Sequence, residues 1–129
     1  MSNAETLKQG YQNFAEGNVE AVLAVFQPDI VWDNSTGFPY VEGDGIYNGH
    51  QEFVEKAFAK IPEYYDGFNI EIDELIDAGD KVVMKGHYTG TYKPTGKKFK
   101  ANAVHVWTFK DGKASHYFQA ADTAEIINP

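Results

Sequence analysis

At 129 residues the chain is the size of one domain, taken as 1–129, and its 43% hydrophobic and 15% aromatic content is enough for a core of its own. A formal net charge of −8 argues against nucleic acid, whose phosphates need a basic patch, and no apolar run approaches the ~20 residues of a membrane span. The absence of cysteine excludes disulfide and thiol chemistry, and the polar N-terminus shows no signal-peptide pattern, so a cytoplasmic location is expected.

The chain opens with a helix, because Leu7, Tyr11 and Phe14 recur at the spacing of one helix face. Gly17 can take the left-handed conformation that stops it, and Asn18 can cap a second helix carrying Val22, Leu23, Val25 and Phe26. Pro28 cannot continue that helix, and Ile30 to Asn34 reads as a strand. Residues 35–49, rich in Gly, Asp and Tyr, read as a long loop with some strand near Tyr40. Helical spacing returns from His50 to Ile61, with Phe53, Ala57, Phe58 and Ile61 to one side, and Pro62 is expected to end it.

The remainder alternates as sheet. Phe68, Ile70 and Ile72 face one way, and Ala78-Gly79-Asp80 turns the chain. Val82, Met84, Tyr88 and Tyr92 mark the next strand, and Pro94-Thr95-Gly96 turns it again. Two long strands follow, Phe99 to Phe109 and Ala114 to Ala121, joined at Asp111-Gly112 and running into a short helix. Short hairpins imply an antiparallel sheet, and helices before a meander imply an α+β fold with the helices on one sheet face. Lys93, Lys97, Lys98 and Lys100 flank a hairpin tip and read as a solvated cluster.

The candidate site begins on the strand from Phe99 to Phe109. Its odd-numbered face carries Phe99, Ala101, Ala103, His105, Trp107 and Phe109, which is apolar except for one imidazole. Such a face begins a small-molecule pocket or holds an ordinary core histidine. Imidazole titrates near neutral pH, so His105 is a candidate general base. Trp32 and Asn34 share a face on the early strand and are expected at the pocket, as are Tyr88, Trp107 and Tyr117. A two-residue turn at Asp111-Gly112 sets His105 opposite Phe118; a three-residue turn with a glycine bulge sets it opposite Tyr117. The two registers send opposite faces of the last strand to the pocket. Tyr47 is placed at the pocket mouth or as a loop anchor. His50 is expected to be exposed, and His87 to point away from the apolar face. Asp122-Thr123-Ala124-Glu125 has the spacing of a capping box. The histidines lack paired ligand spacing, so no metal and no cofactor is expected.

Several stretches together carry a family resemblance. They are Asp29-Ile30-Val31-Trp32, Gly45-Ile46-Tyr47-Asn48-Gly49 before a helix, Gly79-Asp80-Lys81-Val82-Val83, Thr95-Gly96-Lys97, His105-Val106-Trp107 to Asp111-Gly112-Lys113, and Asp122-Thr123-Ala124. In this order the chain resembles the nuclear transport factor 2-like superfamily, and within it the SnoaL-like and ketosteroid-isomerase-related proteins. The resemblance implies a cone-shaped α+β barrel, a curved antiparallel sheet wrapped around the N-terminal helices, with a cavity between them. It also implies a homodimer through the outer sheet face. In the polyketide cyclases of this group an aspartate on the last strand acts as acid–base beside a histidine on the preceding strand. The resemblance puts His105 at the histidine, and at the aspartate Gln119, whose amide exchanges no proton but can orient a substrate. That alignment favours the three-residue turn. The ketosteroid isomerases carry a general-base aspartate on an early strand, but alternation puts Asp33 on the face opposite Trp32.

Two functions follow as expectations. One is a cofactor-independent isomerase, cyclase or dehydratase acting on a small apolar carbonyl compound, with His105 moving the proton and Gln119, Asn34 and Tyr88 holding oxygens. The other is a non-catalytic ligand-binding or stress-related protein with the same pocket, which the missing carboxylate at Gln119 favours.

Overall fold

The computed structural model describes residues 2–129. Helices α1 (Asn3–Ala15) and α2 (Val19–Ala24) open it. Ser2 caps the first by accepting from the Glu5 N–H, and Asn18 caps the second by accepting from the Ala21 N–H. Strand β1 (Phe26–Asp33) starts earlier than the proline suggested, so Phe26 belongs to it and not to the helix. Pro28 is tolerated inside β1 because pairing with the neighbouring strand is irregular between Phe26 and Val31, where a missing N–H breaks no regular ladder.

The strand content of the long loop lies at its end, in β2 (Ile46–Asn48), and not near Tyr40. Next come α3 (Gly49–Phe53), a π-helical turn (Val54–Phe58) and α4 (Lys60–Tyr64). Pro62 does not end this run; it falls in the first turn of α4, where an N–H has no intrahelical acceptor to lose. Strands β3 (Tyr65–Asp77), β4 (Lys81–Tyr92), β5 (Lys97–Lys110) and β6 (Lys113–Ala121) form the meander, and α5 (Thr123–Ile127) follows. Asp122 stands at the N-cap of α5, yet its side chain makes no cap bond; its backbone carbonyl accepts from the Glu125 N–H, so the expected capping box does not form.

The sheet is curved and unclosed, with strand order β2-β1-β6-β5-β4-β3. One pair departs from the expected antiparallel arrangement: β1 and β6 run parallel. The hairpin rule did not cover them, because β1 reaches β6 across the sheet through the rest of the chain and not through a tight turn. In β3 the register slips between Ile72 and Glu74. Leu75 therefore joins Ile70 on the core face and Ile76 turns outward, while Ile72, still in phase with Ile70, is 37% exposed. Gly86 faces this slip, where a side-chain Cβ would lie 2.0 Å from the Glu71 carbonyl oxygen.

The last hairpin adopts a third register. Asp111 (φ 52°) and Gly112 (φ 77°) are both left-handed, as a two-residue type I′ turn requires. Lys110 pairs with Lys113 and Phe109 with Ala114; then Ser115 is skipped and Thr108 pairs with His116. Beyond that bulge His105 pairs with Gln119 and Trp107 with Tyr117, so neither expected partner of His105 stands opposite it. The bulge nevertheless turns Tyr117 and Gln119 inward and Phe118 outward. On β5 every odd residue from Phe99 to Phe109 is buried. No helix among the described residues is long and apolar enough to cross a membrane.

Candidate functional site

Between α1, the π-helical turn and the inner sheet face lies a cavity of about 70 Å³. That is room for roughly five waters, or a single ring. The π-helical turn builds one wall: the Ala59 N–H bonds the Val54 carbonyl five residues back, and Phe53 and Phe58 come to 6.0 Å apart. Phe38 and Tyr40 line the cavity from the long loop, stacked on each other at 5.5 Å. A second space of about 120 Å³ shares Tyr11, Phe14, Phe58, Ile61, Phe68 and Ile70 with the first and continues it. Phe14 and Phe58, which line both, meet edge to face at 5.6 Å.

Trp32, Asn34, Tyr88, His105, Trp107, Tyr117 and Gln119 all line the cavity. Backbone register explains why. Trp32, Tyr117 and Trp107 pair across β1, β6 and β5 in one row. Gln119 pairs with His105 in the next row, and Asn34 follows β1 into the same row. Other candidates lie elsewhere. Tyr47 is buried beside Trp32 but does not line the cavity. His50 is half-buried rather than exposed, its Nε2 3.3 Å from the Phe26 carbonyl. His87 pairs with Asp73 at 3.1 Å, and His116 is exposed. Among the described residues no three His, Asp or Glu side chains gather to hold a metal ion.

The polar groups of the cavity form one chain whose proton positions follow from its ends. The Trp107 indole can only donate, and it donates to the Tyr11 hydroxyl at 2.9 Å. Tyr11 in turn donates to His105 Nδ1 at 2.7 Å. At the far end the Ser35 backbone N–H donates to Asn34 Oδ1 at 3.0 Å, so the group of Gln119 meeting that oxygen is its amide N–H. Gln119 Oε1 then accepts from the Tyr88 hydroxyl, and the Tyr88 oxygen accepts from His105 Nε2. Both ends assign the same tautomer, with the proton on Nε2 and none on Nδ1.

Charge is absent from this chain. Burial lowers His105 from 6.5 to about 3, leaving the imidazole neutral. Burial likewise pushes the phenols of Tyr11, Tyr40, Tyr88 and Tyr117 up. No Asp, Glu, Lys or Arg is among the lining residues. The wall is therefore uncharged at neutral pH, and the imidazole has each nitrogen on a phenol.

Tyr11 is the residue that sequence reasoning missed. It read as one member of an apolar helix stripe, and its partners lie 94 and 96 positions away. A signal was present: a phenol on a buried helix face needs a partner for its hydroxyl, and His105 and Trp107 were the polar tips already assigned to the core.

The SnoaL-like domain family matches residues 7–117. An NTF2-like protein of Burkholderia thailandensis superposes with a TM-score of 0.90 at 33% identity, over 98% of this chain and 95% of that one. An NTF2-like protein of Burkholderia pseudomallei does so with a TM-score of 0.85 at 32% identity, over 98% and 96%. TerC, crystallised with polyporic acid, gives a TM-score of 0.84 at 28% identity over 98% of each chain. Comparison with curated protein sequences gave no match. The family match spans most of the chain, and the NTF2-like neighbours share its fold: the chain belongs to the SnoaL-like family of NTF2-like proteins.

Proposed function

We propose that the protein binds a small, uncharged, largely apolar molecule of about one ring inside the cone. The observation that carries this reading is the wall itself: aromatic and aliphatic side chains around an internally hydrogen-bonded, neutral polar chain. A charged ligand would leave water without a counter-charge to meet it, at a cost of several kcal/mol. The crystallisation of TerC with polyporic acid supports a small-molecule role for this fold. The test is a thermal-shift panel of one-ring ketones, phenols and quinones, each matched with a carboxylate or amine of the same size. Neutral members raise the melting temperature and their charged partners do not. A panel in which only charged compounds stabilise the protein overturns the reading.

A second reading, proton transfer on an enolisable carbonyl compound, is favoured by the unbroken path Tyr11–His105–Tyr88. Here His105 carries the proton, and Gln119, Asn34 and Tyr88 hold oxygens. On this tautomer the basic lone pair is on Nδ1, so substrate reaches it where the Tyr11 hydroxyl gives way, while a substrate oxygen that displaces the Gln119 carbonyl accepts from Tyr88. His105→Gln, which can donate and accept hydrogen bonds like the neutral ring but takes up no proton, abolishes turnover if this holds. Full turnover by His105→Gln on an identified substrate removes the catalytic reading and leaves binding.

The partner we propose on the outside is a second copy of the chain. Phe118, Val106, Val83 and Ile76 pair in one row across four strands on the outer sheet face, with Phe118 and Ile76 nearly half exposed. An exposed apolar row of this kind can meet itself across a two-fold axis.

A further inference from the structure

We infer that the indole N–H of Trp32 is a ligand-binding donor, and that the ligand carries an uncharged carbonyl-type oxygen to meet it. This rests on the small neutral ligand proposed above and names its chemistry.

Trp32 is 9% exposed, lines the cavity, and its Nε1 has no hydrogen-bond partner among the described residues. Indole is a donor only, so nothing but an acceptor can satisfy it, and a buried N–H without one is costly. The Tyr65 hydroxyl is also unpartnered but does not line the cavity. Trp107 offers the contrast within one row of the sheet: its N–H is engaged by Tyr11.

No acceptor among the described residues around Trp32 meets its N–H. Tyr117 stacks over the indole with ring centroids 3.7 Å apart and planes 23° apart, so the phenol covers the face of the ring and not its N–H edge. Phe53, at 4.5 Å, and Phe26, at 5.8 Å, present only carbon. The polar chain is no help either, since its members face one another from Trp107 to Asn34. Asn34 stands two residues from Trp32 on the same side of β1, about 6.6 Å along the strand. One ring spans that distance. An oxygen on the ring then reaches Trp32 while the rest of the ring lies against the amides of Asn34 and Gln119. A carboxylate acceptor is excluded by the same uncharged wall.

The test uses acetophenone and α-methylstyrene, which share a shape and differ by oxygen against CH₂. Calorimetry on the wild-type protein gives about tenfold tighter binding of acetophenone, and Trp32→Phe removes that preference. A second readout needs no variant. The chain has two tryptophans, so two indole N–H signals are followed by nitrogen-edited NMR; acetophenone moves that of Trp32 downfield and leaves that of Trp107 in place. Equal binding of the two probes by the wild type, or an unmoved Trp32 signal at saturation, overturns the inference and leaves the proposed function standing. If neither probe binds, the proposed one-ring ligand and the inference fall together.

Discussion

On strands β5 and β6 each face of the sheet carries side chains of the kind usually found on the other. His105 and Gln119 point inward and are 2% and 7% exposed; Val104 and Phe118 point outward and are 37% and 48% exposed. A buried imidazole and amide, and an exposed valine and phenylalanine, are each the less common placement. The faces differ in how the departure is met. The inner polar groups are satisfied within the chain, in one directed series from Trp107 to Asn34. The outer apolar groups meet nothing within it. The polar series of the inner face is thus complete in itself, with the Trp32 indole N–H standing outside it, while the outer apolar row is left to solvent or to the second copy proposed above.

If the inner series is complete, removing one link strands its neighbours. Tyr88→Phe keeps the ring but leaves the His105 Nε2–H and the Gln119 Oε1 buried without partners. The expected loss is about 3 kcal/mol, read from the urea midpoint. A loss below about 0.5 kcal/mol would show that the series does not stabilise the fold.

Acid attacks the same face through the imidazole. Because burial lowers His105 from 6.5 to about 3, the unfolded chain binds that proton before the folded one does. Its contribution to stability is complete above pH 6.5 and is lost as pH falls toward about 3, at up to about 1.4 kcal/mol per pH unit. His105→Gln removes this titration, so the gap between wild type and variant narrows between pH 6.5 and pH 4.5. A gap that stays constant with pH would mean the imidazole is charged or solvated in the folded protein.

The sequence made much of this face legible, for a physical reason. Strand alternation has a period of two, so once His105 is assigned inward, Ala103 and Trp107 follow, and Trp32 fixes Asn34 likewise. What alternation cannot carry is a change of phase. The bulge at Ser115 moved every partner along β6, and the slip near Asp73 brought Leu75 inward and sent Ile76 outward. Each depends on where a neighbouring strand settles, which local pattern does not encode. The parallel β1–β6 pair, the π-helical turn and the Tyr11 bond to His105 were illegible for the same reason. Pro62 misled because it falls in the first turn of α4, where neither the missing N–H nor the ring costs a bond, and Pro28 because it sits where the β1–β6 ladder is irregular.

The outer face gives the smallest effect on folding and the sharpest contrast. Phe118 is nearly half exposed, so Phe118→Lys should change the urea midpoint of a dilute sample by no more than about 0.5 kcal/mol. The same substitution puts a charge into the apolar row formed with Val106, Val83 and Ile76. Across a two-fold contact that charge is introduced twice, facing its own copy, so repulsion adds to the lost apolar area. Sedimentation equilibrium should therefore show a wild-type dimer and a monomeric variant of nearly equal stability per chain. Were the variant as dimeric as the wild type, the row would be no self-contact. Were the variant strongly destabilised when dilute, Phe118 would belong to the core, and the distinction between a complete inner series and an open outer row would fail.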